Sequence, residues 1–132
     1  MLDIQKIEDK GNLLALIIKG DVDEGVNFVT PDELPLQLGF HNQKKGTILP
    51  AHKHKPLINI EKLDIAEIFY IKEGEVKISI FNKDKLKIAE VIAVSGDVIY
   101  LFSGHGFEFL NNTKMFEIKQ GPYRINEEKE MI

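Results

Sequence analysis

The stretch "GTILPAHKHK", residues 46–55, holds two of the four histidines of the chain, His52 and His54, one residue apart behind a glycine and a proline. In a β-strand, side chains two apart share a face, so Ile48, Pro50, His52 and His54 would line one side and Thr47, Leu49, Ala51 and Lys53 the other. On a helix the two imidazoles would point apart, and Pro50 with the β-branched Thr47 and Ile48 disfavours a helix. The spacing therefore predicts two imidazoles aimed at one point from a strand, the arrangement a metal ion asks for. The competing reading is a solvated basic loop, with Lys44, Lys45, Lys53 and Lys55 close by. Downstream, Glu67 heads "EIFYI" and shares parity with Phe69 and Ile71, while His105 in "SGHGFEFL" shares parity with Phe107 and Phe109. A carboxylate at the head of a core strand is either in water or held by a cation. His52, His54, Glu67 and His105 together form a nitrogen and oxygen set suited to a divalent transition metal, with Fe, Mn, Ni or Zn all admissible.

Elements that position such a set must be short and numerous. Runs of β-type residues, among them "LLALII", "GVNFVT", "AEIFYI", "VKISIF", "KLKIAEVIA", "VIYLF" and "KMFEIKQG", alternate with turn signals such as "KEGE", "NKD", "SGD" and "NNT". Turns about every eight to twelve residues predict an all-β sandwich or barrel. No long 3.6-period stripe interrupts the series, which leaves room only for a short helix at either terminus. At 132 residues, without a repeat or linker, the chain reads as a single domain.

Composition narrows the classes. The chain is 43% hydrophobic and 29% charged, as expected of a soluble globular protein, and its net charge of −4 argues against a nucleic-acid partner. It has no cysteine, which excludes disulfides, thiolate metal sites and a cysteine nucleophile and fits a cytoplasmic location. The longest apolar run, "LLALII", is too short to cross a bilayer, and the charged N-terminal stretch is not a secretory signal.

On these residues the sequence resembles the cupin superfamily. Its first motif, Gly-x5-His-x-His followed by Glu-x6-Gly, is met by Gly46, His52, His54, Glu67 and Gly74, with twelve residues between His54 and Glu67 where three or four are usual. "KPLINIEKLDIA" would then be an extended loop or hairpin at a barrel mouth. The second motif begins at Gly96 and Asp97. A strict match puts Phe107 at the histidine position, and a two-residue deletion brings His105 there. The deletion is favoured because loops absorb length changes more easily than sites absorb a lost ligand. Without His105 the set would be two histidines and a carboxylate. The resemblance spans about residues 36–121 and implies a single-domain jelly-roll β-barrel with a metal inside, held by His52, His54, Glu67 and His105. The ending "FEIKQGPY" is similar to small bacterial cupins found near surface-polysaccharide or sialic-acid-like sugar genes. It implies a small polar, sugar-derived ligand and a homodimer.

Other residues carry two readings. Gln120, Tyr123 and Arg124 are expected near the barrel mouth in the functional reading, with Arg124 placed to grip a carboxylate or phosphate. The simpler reading puts Phe116 and Ile118 in the core, with Glu117 and Lys119 outside. His41 reads as a surface residue, and Tyr70 and Tyr100 as packing residues rather than general acids. Enzyme and non-catalytic binding module both remain open, because no dedicated base stands apart from the ligands.

Overall fold

The computed structural model describes residues 1–56, 64–121 and 129–132. It is all-β: ten strands in three antiparallel sheets, with no helix among the described residues. The N-terminal stretch, where a short helix had room, is strand β1 (Leu2–Asp9), because its apolar residues Leu2 and Ile4 recur with period two and pair with the next strand. No helix of the described residues is long and apolar enough to cross a membrane.

The central sheet has the order β1, β2 (Asn12–Gly20), β8 (Val98–Leu101), β5 (Glu67–Glu73) and β10 (Lys114–Lys119). A three-stranded sheet of β7 (Lys87–Val94), β6 (Glu75–Phe81) and β9 (Gly104–Phe109) lies over one face. The hairpin of β3 (Gly25–Phe28) and β4 (Gly39–Asn42), with its connecting loop, lies over part of the other. From β5 onward the chain passes repeatedly between the central and the three-stranded sheet. The ladders do not join the sheets into a closed cylinder among the described residues.

This layering explains why β2 and β8 are apolar at successive positions rather than alternating. Both strands lie inside the central sheet and are covered on both faces. Ala15, Ile17, Ile99 and Leu101 enter a first core with Phe69, Ile71, Val76, Ile78 and Ile80. Leu16, Ile18, Val98 and Tyr100 enter a second with Ala66 and Ile68, under Leu34, Leu36 and Phe40. Tyr100 is fully buried, and its hydroxyl donates to the Leu36 carbonyl at 3.0 Å and accepts from the Leu36 N–H at 3.3 Å. It is the packing residue expected, pinning the loop between β3 and β4 onto the sheet. Tyr100→Phe should therefore lower stability by about 1 kcal/mol, measured by urea unfolding, since both Leu36 groups lose their partner.

At the β5–β6 corner, Gly74 has φ +114°, and a Cβ there would sit 2.5 Å from both the Asn112 carbonyl oxygen and Thr113 Oγ1. The glycine of the Glu-x6-Gly pattern thus has a steric cause: the β5–β6 turn runs against the segment leading into β10. The turn before β8 is held by Asp97, which accepts from the Val94 N–H at 2.8 Å and pairs with Lys19.

Candidate metal and ligand site

Glu67 opens β5 at the end of the first core, opposite Leu101 of β8 and Lys119 of β10. Phe69 and Ile71 on the same face are buried, so the strand delivers the carboxyl to the rim of an apolar interior. His105 arrives from the other layer, on β9, where it pairs with Ile80. Its ring packs edge-on against Phe69 at 6.4 Å and lies 5.6 Å from that of Phe107. His105 Nε2 stands 3.5 Å from Glu67 Oε1, each side chain being about one-fifth exposed. The two residues, distant in sequence and on different sheets, meet at one point.

His105 Nδ1 lies 2.8 Å from the Ser103 carbonyl oxygen. A carbonyl only accepts, so the ring proton belongs on Nδ1 and the Nε2 lone pair is turned to Glu67. A pocket of about 150 Å³ opens at this pair. Its polar lining is Glu67, Ser103, His105, Lys119 and Lys129, and Ile65, Leu101 and Phe102 supply the apolar part.

Phe116 and Ile118 are the residues that sequence parity misplaces. Met115, Glu117 and Lys119 share one face of β10, and Met115 packs on the first core. Phe116 and Ile118, expected in the core, are 58% and 59% exposed. Glu117 stays exposed, yet on this face its carboxyl reaches and hydrogen-bonds that of Glu67. Burial pushes the Glu67 carboxyl up to about 7, the hydrogen bond and charge of Glu117 push the same way, and the charges of Lys119 and Lys129 oppose them. The sequence signal for this inversion was weak. Each face of "KMFEIK" carries apolar residues, and only the cross-strand pairing of Lys119 with Glu67 decides between them.

His52 and His54 lie elsewhere. Residues 47–56 form no strand, so the expected strand face is absent: Pro50 and Pro56 lack ladder donors, and among the described residues no neighbouring strand pairs with this segment. Both imidazoles are exposed, yet they stand together, ring centroids 5.1 Å apart. His52 Nδ1 is 2.8 Å from the Pro50 carbonyl oxygen, the same arrangement as His105 with Ser103, so its Nε2 lone pair is also open. Among the described residues no three histidine, aspartate or glutamate side chains converge closely enough to hold a metal ion. The four expected ligands form two pairs, one in the pocket and one on the surface segment.

Gln120 does not line the pocket. Its side-chain oxygen accepts from the Ala66 N–H at 2.9 Å and its nitrogen donates to the Asp64 carbonyl at 3.3 Å, fixing the chain just before Glu67. Tyr123, Arg124 and most of the long insertion before Glu67 lie outside the described residues. His41, on β4 opposite Val26, is exposed, as read from the sequence. No protein-family model, curated protein or solved structure matches the chain.

Proposed function

We propose that the chain is a cupin-type jelly-roll protein that binds a divalent transition metal together with a small polar, sugar-derived ligand at the Glu67–His105 pocket. The observation that carries this reading is the meeting of Glu67 and His105 at 3.5 Å across two sheets, the same residues that the two sequence motifs single out. The tautomers support it as well. A metal-bound histidine characteristically donates its other N–H to a carbonyl or carboxylate, and His52 and His105 both do so.

The donor chemistry of Glu67 and His105 fits Fe, Mn, Ni or Zn, and His52 and His54, which stand apart on the surface segment, would have to be brought to the pocket to complete the set. A metal so held would act as a Lewis acid toward a ligand oxygen. The chain's own residues do the rest. The Glu67 carboxyl, raised to about 7 by burial and by Glu117, can hold a proton, Lys119 and Lys129 favour an anionic group, and Leu101 and Phe102 limit water. A volume of about 150 Å³ equals roughly five waters, so only a few heavy atoms of a ligand are enclosed. A second reading, a non-catalytic binding module, is favoured by the hydrogen bond between Glu67 and Glu117, which satisfies the two carboxyls with each other.

The test is elemental analysis of protein purified without an affinity tag, followed by titration of the metal-free protein with Mn²⁺, Fe²⁺, Ni²⁺ and Zn²⁺. Near-stoichiometric metal is expected. His105→Ala and the double variant His52→Ala/His54→Ala should each weaken binding about tenfold or more. Loss in the double variant with none in His105→Ala would place the ion on the surface segment and sink the pocket site. No binding of any of the four ions would end the metal reading and leave the binding module.

A further inference from the structure

Residues 129–132 cross the rim of the pocket. Lys129 lines the pocket, and its charge acts on Glu67. Three residues on, Ile132 rests on the outer face of the three-stranded sheet. Its Cδ1 lies 2.5 Å from the place a Cβ on Gly104 would take, with the Phe81 Cβ at 3.4 Å from the same place. Gly104 pairs with Phe81 and His105 with the fully buried Ile80, so these neighbours on β9 face opposite ways, Gly104 out and His105 in. A side chain at position 104 would push Ile132 off its seat. Lys85, in the β6–β7 turn, holds the same segment twice: its Nζ donates to the Met131 carbonyl at 3.2 Å and pairs with Glu130 at 3.4 Å. The turn that presents Lys85 is itself fixed. Asn82 Oδ1 accepts from the Asp84 and Leu86 N–H groups at 2.9 and 3.1 Å, and Asn82 Nδ2 donates to Asp9 of β1 at 2.9 Å. Three residues of chain reach at most about 10 Å, so these anchors confine Lys129 to the rim.

We propose that residues 129–132 form a strap that brings Lys129 to the pocket, that the ligand held there carries an oxyanion gripped by Lys119 and Lys129, and that Lys85 and Gly104 are positioning residues for this grip. The proposal rests on the pocket being a ligand site. Two ammonium groups from separate segments converge on a cavity of about 150 Å³, room for a carboxylate or a phosphate and for little of the molecule that bears it. Each can give an anion short, charge-assisted hydrogen bonds. Lys119 is placed by the ladder between β10 and β5, whereas Lys129 depends on the strap. The strap is held lightly. The Lys85 and Glu130 side chains are 49% and 85% exposed, and an ion pair so open to water is weak by itself. An anion that touches Lys129 therefore adds to the closed state, and by linkage whatever loosens the strap weakens the anion. Residues on the outside of the sheet thus govern affinity at a pocket on its inside.

Two-dimensional NMR of the isotope-labelled full chain in a chelator reads both halves of the proposal. The Ile132 amide reports the strap, and the Ser103 and His105 amides report the pocket. Inorganic phosphate and acetate are the probes, each titrated to about 0.1 M at constant ionic strength, and the tighter of the two tells a phosphate from a carboxylate. At least one should saturate the pocket amides and move the Ile132 amide with the same midpoint. Lys129→Ala should weaken it about tenfold. Lys85→Glu should weaken it about fivefold. The charge swap Lys85→Glu/Glu130→Lys should restore it, which a merely structural role for Lys85 would not. Gly104→Val should weaken it without altering a charge, and a dispersed spectrum verifies that each variant is folded. Binding that Lys129→Ala leaves unchanged or strengthens overturns the strap, while the pocket stays a ligand site. A swap that restores nothing overturns it as well. Binding of neither anion also overturns the proposal, and the metal titration decides separately whether the reading of the pocket falls with it.

Discussion

In metal-free protein, Glu67→Gln is expected to raise stability by about 2 kcal/mol at pH 8 and to leave it unchanged at pH 4. The folded carboxyl titrates at about 7, well above its ordinary 4.5, because it is buried first and faces Glu117 second. Below pH 4.5 folded and unfolded chains both carry the proton, and Glu67 has no pH-dependent effect. Between 4.5 and 7 the unfolded chain releases a proton that the folded chain keeps, so stability falls as pH rises. Above 7 the folded carboxyl is ionised too, and the loss is complete and constant. A shift of this size corresponds to a ceiling of about 3 kcal/mol, and the side chain's partial exposure lowers it. Glutamine keeps the shape and the donor of the protonated acid without ever charging, so it escapes the loss. Thermal melts in a chelator at pH 4, 6 and 8 would read the difference, roughly 5–10 °C at pH 8 for a chain of this size. Equal melting temperatures for wild type and variant at pH 8 would mean that Glu67 is not held against Glu117 in a buried pocket.

That carboxyl pair marks where the sequence stopped being legible. The strands that lie deep in the fold could be read directly. β2 and β8 are continuous apolar runs because both faces are covered, and β6 alternates into the first core as its Val76, Ile78 and Ile80 demand. Glu67 and His105 could be read for the same reason: each is polar at a parity that its neighbours Phe69 and Phe107 fix as inward. His52 and His54 had no such neighbours. Period-two spacing is a property of a strand, and a strand needs a partner ladder, which a segment between Pro50 and Pro56 does not find. Their pairing survived as proximity of two rings, not as a shared strand face. Phe116 and Ile118 failed in the opposite sense. The apolar weight of Phe116 and Ile118 outvoted Met115, yet the larger side chains went outward. At an edge strand hydrophobicity does not say which face is the core; it says only that something must cover it.

Ile99 and Ile118 turn that distinction into numbers. Ile99→Ala should destabilise the chain by about 3–4 kcal/mol, whereas Ile118→Ala should cost under about 0.5 kcal/mol. Ile99 is fully buried on β8, paired on one side with Ile17 and on the other with Phe69, and its side chain faces the layer of β6. Truncation there leaves a cavity that two fixed ladders cannot collapse, so the cavity cost adds to the lost transfer energy. Ile118 on β10 is 59% exposed and loses little on truncation, because water already reaches it. Urea unfolding of both variants at low protein concentration would measure the pair, with unchanged m-values as the check that the unfolding unit is the same. If Ile118→Ala cost as much as Ile99→Ala, β10 would have its apolar face in the core after all. Glu117 and Lys119 would then turn away from Glu67, and the carboxyl pair behind the expected pH dependence would not exist. The two experiments therefore test one feature of the fold from opposite faces of the same strand.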